Sequence, residues 1–162
     1  ELGASMLRLA GLYPDKAAAI AALEHSLTSG KAAEIFAKMV AAMGGPVDLL
    51  EKPQLYLGQA PVIVDIKAPQ AGYLASLDTT AMGMAVVRLG GGRAHPAQVI
   101  DPVVGFSDLL PLGTKVAAGD VIGRVHAATA EAAAKASAEY VAALSQSAEV
   151  PTLSPLVHKV IG

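Results

Sequence analysis

The 162-residue chain has no cysteine and no tryptophan, and only two phenylalanines and four tyrosines. Without thiols, disulfides, thiolate nucleophiles and cysteine-held zinc or iron–sulfur centres are excluded, and a reducing compartment is the natural expectation. Excess charge is lacking too. Twelve Lys plus Arg stand against 14 Asp plus Glu, for a formal charge of −2, and the basic residues occur singly, without the patch that a polyanion binder needs. Long apolar runs are also missing. The longest stretch without charge, Pro53 to Val64, contains two prolines and falls short of the roughly 18 apolar residues that cross a bilayer. The sequence predicts a soluble, cytoplasmic protein with neither nucleic acid nor membrane as partner.

What is present is apolar but small. Hydrophobic residues make up 53% of the chain and 33 of them are alanine, so the core must come from Leu, Val, Ile and Met. The opening segment Glu1–Gly11 carries apolar residues at Leu2, Met6 and Leu9 and ends in glycine, the pattern of the last turns of a helix and its C-cap. With no initiator Met and no signal-type charged region, that start is expected of a piece of a longer polypeptide.

Helical patterning continues to about Pro53. Asp15 is placed to cap a second helix through Leu27, stopped by Thr28-Ser29-Gly30, and Ser29 or Gly30 to start a third, stopped by Gly44-Gly45-Pro46. From Gln54 the character changes, with Pro53, Pro61 and Pro69 bracketing short β-branched or aromatic runs. Strands are expected at Leu55–Leu57, Val62–Ile66, Ala71–Leu77, Val99–Asp101, Val103–Phe106, Val121–His126 and Leu156–Ile161. Helices are expected at Ala81–Leu89, capped by Asp78 or Thr79 and closed by Gly90-Gly91-Gly92, and at Ala130–Leu144. A turn-rich link fills Leu112–Asp120. The result is an α+β chain with a helical segment at 1–53 and a strand-rich domain at 54–162.

Few residues suggest chemistry. Gly90-Gly91-Gly92-Arg93 looks like a phosphate loop, but phosphate loops precede a helix, where free N–H groups face the anion. These glycines follow one, so a C-cap is expected, with Arg93 answering the negative dipole end. His25, His95, His126 and His158 have no metal-ligand spacing; His126 is expected to make a structural hydrogen bond and His95 to sit in a loop. Asp101 and Asp108 could form a carboxylate pair, although local turn bonding accounts for both. No serine lies in a Gly-x-Ser-x-Gly turn.

The most distinctive feature is a split pair, Lys67-Ala68-Pro69-Gln70-Ala71-Gly72-Tyr73-Leu74 and Leu112-Gly113-Thr114-Lys115-Val116-Ala117-Ala118-Gly119-Asp120-Val121-Ile122. Together these segments resemble the two edges of a biotinyl or lipoyl carrier domain. A carrier needs an acceptor lysine on the hairpin between them, and no lysine lies between Lys67 and Lys115. A non-catalytic barrel-sandwich accessory or carrier-like module is therefore the alternative reading, and a stand-alone interaction domain a third.

A wider likeness runs along the chain. Its residues are Gly30-Lys31-Ala32-Ala33-Glu34, Phe36, Met39 to Gly45, Ala71-Gly72-Tyr73, Gly83 to Arg93, Ile100 to Asp108, and Val125-His126-Ala127. In this order they resemble the C-terminal portion of the pyrimidine-nucleoside phosphorylase family, in its thymidine-cleaving branch. The resemblance implies the end of a large α/β domain followed by an α/β-hammerhead, barrel-sandwich-like domain. It implies a parent enzyme that splits thymidine or deoxyuridine with inorganic phosphate, a co-substrate and not a cofactor, giving the base and 2-deoxyribose 1-phosphate. The implied partners are the remainder of its own chain and a second subunit in a homodimer. The family's Lys-x-Ser-x-Gly-Gly-x-Gly-Asp phosphate signature and its pyrimidine-holding residues belong upstream and have no counterpart here. No catalytic, cofactor-binding or metal residue is therefore assigned, and the chain alone is expected to be structural and inactive.

Overall fold

Asp15 sits in extended backbone (φ −139°) and its carboxylate accepts the Ala18 N–H at 2.8 Å, which starts a helix by satisfying one of its orphan donors. In the computed structural model, which describes residues 1–155, 157 and 159, this helix is α2 (Lys16–Thr28), between α1 (Leu2–Leu9) and α3 (Lys31–Ala42). α1 ends in a Schellman pair, with Gly11 N–H donating to Arg8 and Leu12 N–H to Leu7. Gly30, at φ +80°, both follows α2 and caps α3, so a single left-handed residue makes the whole reversal. α1 lies close on α2: a Cβ on Gly3 would stand 3.1 Å from Leu23 Cδ1, and Ala4 and Ala19 are fully buried.

The strand expected over Leu55–Leu57 is instead the end of a helical turn, α4 (Pro53–Tyr56). Pro53 occupies its first position, where a fixed φ and a missing N–H suit a helix, and Leu57 N–H closes the turn on the Pro53 carbonyl at 2.8 Å. The Tyr56 hydroxyl then donates to Asp48. The chain divides into Glu1–Leu57 and Gly58–Gly162, a few residues beyond the Pro53–Gln54 junction expected from composition.

Among its described residues the second unit has two three-stranded antiparallel sheets. One is ordered β1 (Val62–Lys67), β5 (Val121–Ala127), β3 (Gly105–Ser107); the other is β4 (Lys115–Val116), β2 (Gly72–Leu77), β6 (Leu144–Ser147). Between β2 and β3 runs α5 (Thr79–Val86), capped by the Asp78 carboxylate on Ala81 N–H at 2.9 Å. Its last turn widens to π geometry over Val87–Gly91, with Gly90 at φ +102°. α6 (Ala130–Ala143) starts at Thr129, whose hydroxyl accepts Ala132 N–H at 3.1 Å. Ile66, Leu74, Ile122, Val125 and Tyr140 form the centre of the core, and Ala133 and Ala136 join Tyr140 on the inward stripe of α6. Phe106 and Tyr140 meet tilted, their ring centroids 6.0 Å apart. Gly72, at φ +150°, lets β2 lie against β6; a Cβ there would be 2.6 Å from the Ser147 carbonyl oxygen.

Three further expectations are corrected. Val99–Asp101 is not a strand, because Asp101 N–H turns back to the Gly90 carbonyl at 2.9 Å instead of joining a ladder. The Leu112–Asp120 link contains the two-residue β4, paired with Gly72 and Tyr73. Leu144 leaves α6 in extended backbone and begins β6, whose pairing with β2 outweighs another helical residue. The expected Leu156–Ile161 strand falls on residues outside those described. Among the described residues no helix is long and apolar enough to cross a membrane.

Two measurements follow from this packing. Leu74→Ala, at a fully buried position, is expected to cost about 2–5 kcal/mol in urea denaturation. Leu9→Ala, at a position 90% exposed, should change stability by no more than about 0.5 kcal/mol. The Asp48–Tyr56 contact gives a pH signature. Hydrogen bonds from Tyr56, then Lys52, hold the Asp48 carboxyl below its ordinary range, and the bond to Asp48 raises the Tyr56 phenol. The Tyr56 contribution is present below the ordinary phenol pKa and fades as pH rises through the raised one; the Asp48 contribution is present above the ordinary carboxyl pKa and fades as pH falls through the lowered one. Absorbance titration at alkaline pH should show a late phenol that returns toward its ordinary value in Asp48→Asn.

Candidate functional site

Antiparallel register decides which polar side chains meet. β5 pairs Arg124 with Asp65 of β1 on one side and Ser107 of β3 on the other, and two residues along it pairs His126 with Ile63 and Gly105. Side chains alternate along a strand. Val125 and Ala127 are therefore buried, whereas Arg124 is exposed and His126 half-buried on the opposite face.

On that face five residues form one chain of bonds. Arg124 Nε donates to Asp65 Oδ1 at 2.9 Å and its Nη1 to Asp108 Oδ2 at 3.2 Å. Ser107 Oγ donates to the same Asp108 Oδ2 at 3.1 Å and lies 2.8 Å from His126 Nε2. A hydroxyl has one proton and a carboxylate only accepts. Where Ser107 gives its one proton to Asp108, His126 Nε2 must carry a hydrogen and donate to Ser107. This is the reverse of a hydrolase dyad, in which the imidazole must take the serine proton and a carboxylate must orient the imidazole. Serine, histidine and aspartate are thus all present, but their order along the bond chain makes a brace.

Asp108 stands at φ +52°, the single non-glycine positive φ among the described residues. Aspartate tolerates that region better than most side chains, and its carboxylate ties the turn after β3 back to β5. The Asp65 hydrogen bond, then the charges of Asp65 and Asp108, hold the Arg124 pKa above its ordinary value. Both ion pairs are open to water, so each adds little stability.

The residues singled out in sequence are placed as follows. Asp101 Oδ1 accepts Val103 N–H at 3.1 Å, a local turn, and no bond joins Asp101 to Asp108. Gly90–Gly92 follow α5, and the Gly90 carbonyl is already bonded to Asp101 N–H. The His95 backbone carbonyl takes Gln98 N–H at 3.0 Å, His25 lies in α2, and His158 is outside the described residues. Among the described residues no three His, Asp or Glu side chains gather as a metal site. The two carrier-like segments do meet: Ala68 and Asp120 are joined by N–H to carbonyl at 2.8 Å, Gly119 and Ala68 at 2.9 Å, and Leu74 and Thr114 at 3.0 Å. Lys67 ends β1, and Lys115 lies in β4 with its ammonium 5.8 Å from the centre of the Tyr73 ring. Neither stands at a hairpin apex.

An open concavity of about 580 Å³ is bordered by Ser76, Asp78, Arg88, Glu139 and Ser145. Its charges are already engaged, Asp78 in capping α5 and Arg88 with Glu139 at 2.9 Å. Sequence reasoning expected a structural hydrogen bond at His126 but missed the Asp65–Arg124–Asp108–Ser107–His126 chain that supplies it. Its one legible signal was that Arg124 and His126, two apart in a strand, share a face.

Residues 73–146 match the family described as the pyrimidine nucleoside phosphorylase C-terminal domain. The chain is 51% identical over 111 residues to the thymidine phosphorylase of Agrobacterium fabrum, covering 68% of this chain and 25% of that protein. It is 42% identical over 157 residues to the thymidine phosphorylase of Colwellia psychrerythraea, covering 97% and 36%. With the thymidine phosphorylase of Burkholderia cenocepacia it shares 47% over 135 residues, covering 83% and 31%. The chain therefore spans about a third or less of the length of these relatives, and the likeness is to their C-terminal portion.

If the polar chain is a brace, Ser107→Ala should lower stability by about 1 kcal/mol by leaving the half-buried His126 Nε2 without its partner. Urea denaturation tests the loss, and nitrogen-15 spectra of the imidazole test the Nε2–H tautomer. An Nδ1–H tautomer would contradict the proton assignment.

Proposed function

From this kinship with the C-terminal portion of the thymidine phosphorylases, we propose that the chain is scaffold in an enzyme that cleaves thymidine with inorganic phosphate to thymine and 2-deoxyribose 1-phosphate. In this reading phosphate attacks the anomeric carbon as the pyrimidine leaves, and the enzyme positions the anion and stabilises the departing base. The groups that do so belong to the part of the enzyme outside this chain. Phosphate is a co-substrate and no cofactor is called for. The working enzyme is a cytoplasmic homodimer, and the two small sheets with their crossing helices form its hammerhead-like C-terminal domain.

The observation that carries this reading is that two arginines of the second unit are already held by carboxylates. Arg124 is held between Asp65 and Asp108, and Arg88 is held by Glu139. A phosphate site needs cations or free N–H groups directed at empty space, and these arginines are directed at carboxylates. Similarity along 97% of the chain to a thymidine phosphorylase supports a role that extends through both units.

The test has two arms. The purified 162-residue chain with thymidine and phosphate is expected to release no thymine by chromatography. A chimera in which this chain replaces the matching stretch of the Colwellia psychrerythraea thymidine phosphorylase is expected to release thymine in a phosphate-dependent manner. Turnover by the isolated chain, or a folded but inactive chimera, would contradict the proposal.

A further inference from the structure

We draw no further inference here: the strongest candidate, the open concavity between α5 and α6 bordered by Ser76, Asp78, Arg88, Glu139 and Ser145, has its charged side chains already bonded within the fold, Asp78 to Ala81 N–H and Arg88 to Glu139, and nothing in the structure shows what would occupy it.

Discussion

The antiparallel alternation of β5 is the constraint on which the second unit depends. As the middle strand of its sheet, β5 directs Val125 and Ala127 into the core with Ile66 and Tyr140, and Arg124 and His126 to the other face. A slip of one residue would exchange the two sets, burying a guanidinium and exposing the apolar residues. Bonds from Arg124 and His126 to residues on both neighbouring strands oppose that slip. The polar face that looks like a catalytic cluster is thus part of what keeps the apolar face in register. Hydrogen bonds and exposed ion pairs of this kind add modest stability each, but they are directional where the hydrophobic contacts behind them are not.

Alanine sets the rest of the packing. On α6 it gives high helix propensity without side-chain entropy to lose, and Ala133 and Ala136 let the helix approach the sheet closely while Tyr140 fills the remaining volume. In the first unit the same economy leaves little to bury. Among its described residues Ala4 and Ala19 are the buried hydrophobics, so its helices are defined by caps and glycine reversals more than by a core. Local bonding can specify where a helix starts and stops, but it contributes only about 1 kcal/mol per cap.

The legible parts of the fold were those decided locally. Asp15 and Asp78 bond N–H groups three residues away, and Gly11, Gly30 and Gly44 take left-handed backbone where the helix pattern stops. Misreadings arose where a distant partner outweighed local preference. Val99–Asp101 has strand-forming residues but no strand to pair with, and Leu144 continues a helical pattern but lies within reach of β2. Leu55–Leu57 failed for a local reason, the helix-starting position of Pro53. In the candidate site, the turn bonding of Asp101 could be read two residues away. The contacts of Asp108 with Arg124, and of Ser107 with His126, span 16 and 19 residues and depend on strand order.

By itself the sequence determined the longer helices and the strands β1, β2 and β5, the helix boundaries at capped ends, the lack of thiol chemistry, and the likeness to a phosphorylase C-terminal portion. All of these depend on residue identity or on neighbours within a helical turn. Tertiary structure alone decided that β5 lies between β1 and β3, and that Ser107 and Asp108 meet His126 and Arg124 across the strands. Each of these turns on which segments meet across the fold, and that is settled by burying the whole apolar surface at once, a quantity no short window of sequence contains.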